Sequence, residues 1–190
     1  WLHGEGLQCT GIDLSAEQLE QARAMLPESV RLEERDALDF LSSSPDTFGV
    51  IVANDLLEHL KRPEALEMVD AAYEALRPGG VLITRVPNAI CPGAGRFFND
   101  LTHERPYTGD SMRHLLRLAG FTDVDVFAFE PHPFRSIVSP LGWACRHAMW
   151  NLYRLRLFLH HVAPGPEVVS RNLAVAARKP EDEDRDDAEA

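Results

Sequence analysis

Cysteine is scarce in this chain, and its spacing suggests neither a redox pair nor a metal site. Cys9, Cys91 and Cys145 are the only cysteines among 190 residues, and none belongs to a CxxC pair or to a metal-ligand pattern. Metal and redox sites that can be recognised from sequence need such spacings, so we predict no metal site. Three scattered thiols fit a reducing compartment, and we expect a cytoplasmic protein.

Positive charge is also scarce, and this argues against nucleic acid as a partner. The chain has 19 basic and 30 acidic residues and a net charge of −11. Residues 181–190 hold seven acids and one arginine, which leaves −5 for the remainder. Phosphate contacts require clustered lysine and arginine, which an acidic body does not supply. We expect one domain over 1–179, followed by an acidic, disordered tail over 180–190.

Apolar runs and helical periodicity alternate along the chain. The run from Phe48 to Ala53 is β-rich and shows no polar alternation, which is typical of a strand buried on both faces. Strands and helices that alternate at this spacing predict an α/β fold with a parallel sheet and outer helices. The predicted strands are 8–13, 30–33, 48–53, 81–86, 121–129 and 172–178, and the predicted helices are 16–26, 63–76, 110–119 and 140–162.

The end of the first predicted strand indicates a nucleotide-type ligand. The strand ends on Asp13, and a helix follows at once after a capping box that begins at Ser15. In doubly wound α/β domains an acid at this place binds ribose hydroxyls, because an ionised carboxylate only accepts hydrogen bonds. The alternative is an acid that stabilises the helix start through the helix dipole. The glycine-rich turn that normally accompanies such an acid is absent.

Five short segments, taken in order, carry a resemblance to a known family. The chain resembles class I S-adenosylmethionine (SAM)-dependent methyltransferases, and among them the small-molecule enzymes of ubiquinone biosynthesis and of sugar or lipid methylation. This resemblance implies a Rossmann-like, doubly wound sheet in which strand 172–178 forms an antiparallel hairpin with 121–129. It covers about residues 1–130 and 172–179, with 140–162 as a helical insertion. The matching segments are Gly11–Ser15, Asp36–Ala37, Phe48–Leu60, Leu76–Ile83 and Leu118–Phe121.

The chain departs from the family at its start. The first strand and its glycine-rich loop have no counterpart, and the chain carries neither an initiator methionine nor a visible signal peptide. We therefore expect a truncated product in which two central strand edges are bare. On this expectation the 190 residues by themselves bind SAM weakly or not at all.

The resemblance also implies which residues hold SAM. Asp13 would accept both ribose hydroxyls, with Leu14 packed against the adenosyl group. Asp36 would take the adenine amino group, with the backbone N–H of Ala37 beside it and Leu38 nearby. Asn54 follows the buried strand at the carboxyl edge, where ligands bind, and would face the methionine portion. Its alternative is an ordinary turn asparagine.

A polar loop after residue 88 is the predicted acceptor site. His103 is the candidate base, since imidazole is the commonest side-chain base in enzymes. Asp100 would orient it, and Arg105 or Tyr107 would hold an anionic or hydroxylated acceptor. His59 is a second catalytic candidate. The alternatives are a structural His59 and a loop in which residues 100–103 hydrogen-bond only to one another.

Residues 140–162 form an aromatic, basic stretch that contains no acid. It is too interrupted to span a bilayer. One interpretation is a lid or dimer helix whose aromatic residues pack on protein, and the other is peripheral contact with a membrane interface.

The predicted function is methyl transfer from SAM to a small-molecule acceptor, at a hydroxyl group. Two other classes stay open. One is a nucleotide-dependent oxidoreductase or epimerase, whose sheet would be all parallel. The other is a degenerate methyltransferase-like module that binds a partner without activity. The sequence does not predict the oligomeric state.

Overall fold

The structure is a computed structural model that describes residues 2–91, 97, 100–129, 140–161, 168 and 170–181. Strands and helices alternate along it as the sequence predicted. A 3₁₀ turn over Leu2–Glu5 precedes the first strand, and another covers Leu57–His59. The strands are β1 (Thr10–Asp13), β2 (Arg31–Glu34), β3 (Phe48–Asn54), β4 (Leu76–Pro87), β5 (Thr122–Phe129) and β6 (Asn172–Arg178). The helices are α1 (Ala16–Met25), α2 (Ala37–Ser42), α3 (Arg62–Ala75), α4 (Gly109–Leu118) and α5 (Pro140–His161).

The strands form two sheets. β1 and β2 pair in parallel, and a second sheet has the order β3-β4-β6-β5. β3 and β4 are parallel, whereas β6 is antiparallel to both β4 and β5. This confirms the Rossmann-like fold with an antiparallel closing strand. The mixed direction argues against the all-parallel sheet of the oxidoreductase alternative. Among the residues described, no strand joins β1 to β3, so both inner edges are open.

The hydrophobic core lies between the four-stranded sheet and helices α3 and α4. Helices form there because apolar side chains recur every three or four residues, and each helix turns that face towards the sheet. Thr108 caps α4 by accepting a hydrogen bond from the Ser111 N–H. The fully buried side chains of this core include Leu76, Val86, Met112, Leu116 and Leu173.

Two local predictions were incomplete. Helix α2 was not predicted, although Asp36 caps it and Leu41 is buried beneath it. The predicted helix stop at 77–80 lies inside strand β4 instead of before it. Phe48 pairs with Leu76, but Val50 pairs with Val81, so residues 77–80 of β4 form a bulge opposite β3. Within it Gly79 adopts a positive φ of 75°.

Parts of the predicted acidic tail and of the predicted helical insertion cannot be compared with the structure. Residues 182–190, most of the predicted acidic tail, lie outside the described residues, as does residue 162 at the end of the predicted insertion. None of the three cysteines, all of which are described, forms a disulfide. Within the described part of the chain, no helix combines the length and apolar character needed to cross a bilayer.

Candidate functional site

A cavity of about 440 Å³ lies at the gap between the two sheets. Strand β1 supplies Thr10 and Ile12 to its wall, and β3 supplies Val50 and Val52 from the opposite side. The carboxyl ends of both strands open into it. Of the six residues predicted to bind SAM, five line this cavity: Asp13, Leu14, Asp36, Ala37 and Asn54.

Asp13 has both of the environments that the sequence suggested. Its Oδ1 accepts a hydrogen bond of 2.7 Å from the Ser15 backbone N–H, which orders the entry to helix α1. Its Oδ2 has no hydrogen-bond donor among the described residues. The carboxylate can therefore stabilise the helix start and still accept hydrogen bonds from a ligand in the cavity.

Asp36 is the N-cap of α2. Its Oδ1 accepts hydrogen bonds from the backbone N–H groups of Leu38 and Asp39, at 2.9 and 3.0 Å. Leu38 does not line the cavity, because its side chain packs against the core and its N–H is already used by Asp36. Leu38 is thus a hydrogen-bond partner of Asp36, but its side chain is not among those that line the cavity.

The cavity rim carries an ion pair that sequence reasoning missed. Asp55, directly after β3, adopts a positive φ of 50° and pairs with Arg85 at the end of β4. The Arg85 Nε donates to the Asp55 Oδ1 at 3.0 Å, and the guanidinium lies 5.2 Å from the Phe129 ring centre. Because Asp55 and Arg85 are 30 residues apart, only the parallel pairing of β3 and β4 makes them neighbours.

The predicted acceptor loop is docked on the 3₁₀ turn that follows β3. The backbone carbonyl of Glu58 accepts hydrogen bonds from the N–H groups of Glu104 and Arg105, at 2.8 and 3.1 Å. Tyr107 is buried, and its hydroxyl donates to the Leu57 carbonyl at 3.3 Å. Burial raises the pKa of Tyr107. These contacts favour a structural role for Tyr107 over the predicted acceptor contact, since its hydroxyl is used within the protein.

Asp100 contacts Thr102 more closely than the histidine it was predicted to orient. Its Oδ1 accepts hydrogen bonds from the Thr102 N–H at 2.9 Å and from the Thr102 hydroxyl at 2.6 Å. These hydrogen bonds lower the pKa of Asp100. Its Oδ2 lies 3.8 Å from the His103 Nε2. Arg105 lies over the Tyr107 ring at 5.6 Å.

The two predicted catalytic histidines lie side by side. The rings of His59 and His103 are 4.7 Å apart in an edge-on arrangement. The His103 Nδ1 is 2.8 Å from the Phe97 carbonyl, and the His59 Nδ1 is 3.3 Å from the Thr102 carbonyl and 2.9 Å from its hydroxyl. A carbonyl oxygen only accepts, so both Nδ1 atoms donate, and in the neutral rings the lone pairs lie on Nε2.

Glu58 lies against this histidine pair and was not predicted as a site residue. Its side chain is only 1% exposed, and neither carboxylate oxygen has a hydrogen-bond partner among the described residues. Burial is the main reason why the pKa of Glu58 is raised. The sequence signal was the Glu58–His59 pair in the turn that follows the apolar strand β3.

Comparison with known proteins gives the family. The family described as "Methyltransferase domain" matches residues 1–126. The chain belongs to this family. The match covers β1 to β4, the predicted SAM residues and the loop that carries His103. It confirms the resemblance that the five sequence segments predicted.

Two curated relatives extend the comparison. The methyltransferase-family chain is 36% identical over 80 residues to a ubiquinone biosynthesis O-methyltransferase of Thiobacillus denitrificans, covering 40% of this chain and 34% of that protein. It is 26% identical over 153 residues to a trans-aconitate 2-methyltransferase of Paracidovorax citrulli, covering 73% and 58%. The aligned part of the chain thus spans about a third to somewhat over half of the length of these relatives.

Solved structures support the fold. A SAM-dependent methyltransferase from Archaeoglobus fulgidus has a TM-score of 0.68 at 21% identity, covering 94% of this chain and 79% of that one. Another from Mesorhizobium loti has a TM-score of 0.63 at 21% identity, covering 94% and 83%. These matches agree with the Rossmann-like order of strands and helices described above.

Proposed function

We propose that this domain binds SAM in the cavity between the two sheets and transfers its methyl group to the oxygen of a small-molecule acceptor. The observation that carries the proposal is the convergence of Asp13, Asp36 and Asn54 on one cavity at the carboxyl ends of β1 and β3. Family membership and the SAM-dependent enzymes among the similar structures support SAM as the cosubstrate. The relative named as an O-methyltransferase supports an oxygen acceptor.

Methyl transfer needs alignment more than it needs a powerful catalyst. The sulfonium of SAM already activates the methyl carbon, so the protein must hold the acceptor oxygen about 3 Å from that carbon and in line with the breaking C–S bond. The O–C bond forms as the C–S bond breaks, and the hydroxyl proton passes to a base. Nε2 of His103 is our proposed base, and His59 is the second candidate because its Nε2 also carries a lone pair.

The acceptor contacts are proposed around the same histidine pair. Arg105 and Asp100 offer opposite charges at the edge of the docked loop, and they suit a hydroxylated or anionic compound. The cavity suits a small molecule, and an acidic chain is a poor match for nucleic acid. We propose a small molecule as the acceptor for these reasons.

A labelled-methyl assay tests the function. We expect the protein, given millimolar tritiated-methyl SAM and a panel of hydroxylated acceptors, to release a methylated product and S-adenosylhomocysteine. His103→Asn should lower kcat by about 10²- to 10⁴-fold, because a positioned base contributes that much. The exposed His114 of α4 provides the matched control, and His114→Asn should leave kcat unchanged.

Each outcome of this assay has a clear meaning. If SAM binds but no acceptor in the panel is methylated, the binding-module alternative is favoured. An unchanged kcat in His103→Asn would remove His103 from the reaction, and His59 would take its place in the proposal.

We also propose that α5 contacts an anionic membrane surface from a protein that is otherwise cytoplasmic. Residues 140–161 contain three arginines and no acid, in a chain of net charge −11. This local positive charge complements an anionic lipid surface, and exposed apolar side chains supply the inserted face. Five of them are between 49% and 68% exposed: Met149, Leu152, Leu155, Phe158 and Leu159.

Vesicle co-sedimentation tests this contact. We expect the protein to pellet with vesicles that contain phosphatidylglycerol and to stay in solution with phosphatidylcholine alone. Leu155→Glu should weaken vesicle binding about tenfold or more, because it removes an inserted leucine from the contact. Leu118→Glu changes an exposed leucine of α4 in the same way and should have no effect. Failure to pellet with anionic vesicles, or self-association through α5 without lipid, would favour the lid or dimer interpretation.

A further inference from the structure

We infer that Glu58, His59 and His103 form a binding site for one divalent transition-metal ion beside the proposed SAM cavity. The three side chains each offer one ligand atom, and these atoms lie within 4.8 Å of one another. Leu57, the residue before Glu58, lines the cavity. Sequence spacing predicted no metal site, because His103 is 44 residues from His59 along the chain.

Both imidazoles are held in the tautomer that a metal requires. The Nδ1–H groups of His59 and His103 point to carbonyl oxygens of Thr102 and Phe97. An imidazole that binds a metal through one nitrogen normally donates its other N–H to such an acceptor, which fixes the ring and strengthens the ligand. These contacts leave Nε2 as the nitrogen of each ring that can bind an ion. The Nε2 of His103 also lies 3.8 Å from the Asp100 Oδ2, so Asp100 borders the site.

The Thr102 hydroxyl is a second acceptor for the Nδ1–H of His59, in addition to the Thr102 carbonyl. The Thr102 hydroxyl is 2.9 Å from the His59 Nδ1, and that hydroxyl donates to Asp100 at 2.6 Å. Because the hydroxyl proton is directed to Asp100, the hydroxyl oxygen is left to accept from the His59 Nδ1–H. The Thr102 hydroxyl thus takes the place of the acceptor that usually orients a zinc-binding imidazole, and Asp100 orients that hydroxyl.

The buried carboxylate of Glu58 also points to a bound cation, independently of the histidine geometry. A buried carboxylate without hydrogen bonds is unfavourable, and such groups in proteins are usually paired with a charge or bound to a metal. Both of its oxygens lack a hydrogen bond to any other described residue, although its own backbone carbonyl accepts two hydrogen bonds from the His103 loop. A cation between Glu58 and the two histidines would provide the missing partner.

The ligand set indicates the class of ion. Two imidazole nitrogens and one carboxylate favour zinc, cobalt or a similar transition metal, whereas calcium and magnesium prefer oxygen ligands alone. Zinc binds nitrogen and oxygen ligands at about 2.0–2.2 Å, and two atoms bound to one ion can be up to about 4 Å apart, so separations within 4.8 Å require at most a small closing movement. Three protein ligands leave at least one coordination position for an acceptor oxygen.

The metal site does not depend on the proposed function, and only its effect on methyl transfer rests on that function. A bound ion would lower the pKa of a coordinated acceptor hydroxyl, whose proton would pass to solvent, and the oxygen would then attack the methyl carbon. A nitrogen that binds metal cannot also accept a proton. His103 would therefore act as the base in the metal-free protein and as a ligand in the metal-bound one.

Cobalt binding tests the site without any methyl transfer. We expect the metal-free protein, titrated with Co²⁺, to bind one ion per chain and to develop visible d–d absorption. Glu58→Gln and His103→Asn should each weaken binding at least about tenfold, as the loss of even an outer partner costs 10- to 100-fold. Glu104→Gln removes an exposed carboxylate on the same loop and should bind Co²⁺ like the unaltered protein.

A measurement on the unaltered protein avoids dependence on variants that fail to fold. Among eight histidines, Zn²⁺ should shift the ¹⁵N resonances of His59 and His103 first and at one equivalent. The proposed site would be overturned if Zn²⁺ shifted the resonances of other histidines first. It would also be overturned if Glu58→Gln bound Co²⁺ as tightly as the unaltered protein. The two proposals fail separately, because Co²⁺ absorption needs neither SAM nor an acceptor and the methyl-transfer assay can be run with a chelator.

Discussion

Replacing Asp13 by asparagine is expected to weaken SAM binding about 10- to 150-fold, because hydrogen bonds to a charged group contribute about 1.5–3 kcal/mol. The carboxylate only accepts hydrogen bonds, as the two ribose hydroxyls require, whereas an amide presents an NH₂ donor on one side. The amide oxygen can still accept the hydrogen bond from the Ser15 N–H, so the start of α1 should stay intact.

NMR titration with SAM up to several mM tests this loss of affinity: the unaltered protein should show concentration-dependent shifts at the cavity, whereas Asp13→Asn should show almost none in the same range. Asp39→Asn provides the matched control, because Asp39 is exposed in α2 and does not line the cavity. We expect the control to bind SAM like the unaltered protein. Equal dissociation constants for Asp13→Asn and Asp39→Asn would exclude Asp13 as the ribose contact.

Truncating Leu116 to alanine should lower the free energy of unfolding by about 2–5 kcal/mol, which is the usual range for a leucine removed from a packed core. Leu116 is 0% exposed and belongs to the core beneath α4. The loss combines the hydrophobic transfer of the removed methyl groups with a cavity that rigid neighbours fill only in part. Urea unfolding followed by circular dichroism measures it.

Leu118→Ala makes the same chemical change two residues later in the same helix. Its side chain is 65% exposed, so we expect a change within about 0.5 kcal/mol. A similar loss in both variants would mean that helix propensity or the unfolded state, and not burial against the sheet, accounts for the effect of Leu116.

Much of the fold could be predicted because the signals are local. The apolar run of β3 and the periodicity of α3 and α4 involve residues within a few positions of one another, and the closing hairpin followed from the family resemblance. The prediction that β3 is buried on both faces was wrong, because Val50 and Val52 border the cavity and are 39% and 44% exposed. Helix α2 was missed because its six residues are too few to establish a period. The bulge in β4 was placed outside the strand because a glycine pair usually stops a structure, and only the register with β3 shows that the strand continues.

The sequence by itself determined the alternation of strands and helices, the acid at the end of β1 and the family. The tertiary structure alone decided which distant side chains become neighbours. Asp13 and Asn54 share a cavity because β1 and β3 end at the same edge, and Glu58 meets His103 because the loop hydrogen-bonds to the Glu58 carbonyl. The physical reason is that local propensity acts over a few residues, whereas contacts between residues far apart in the chain depend on how whole strands, helices and loops pack.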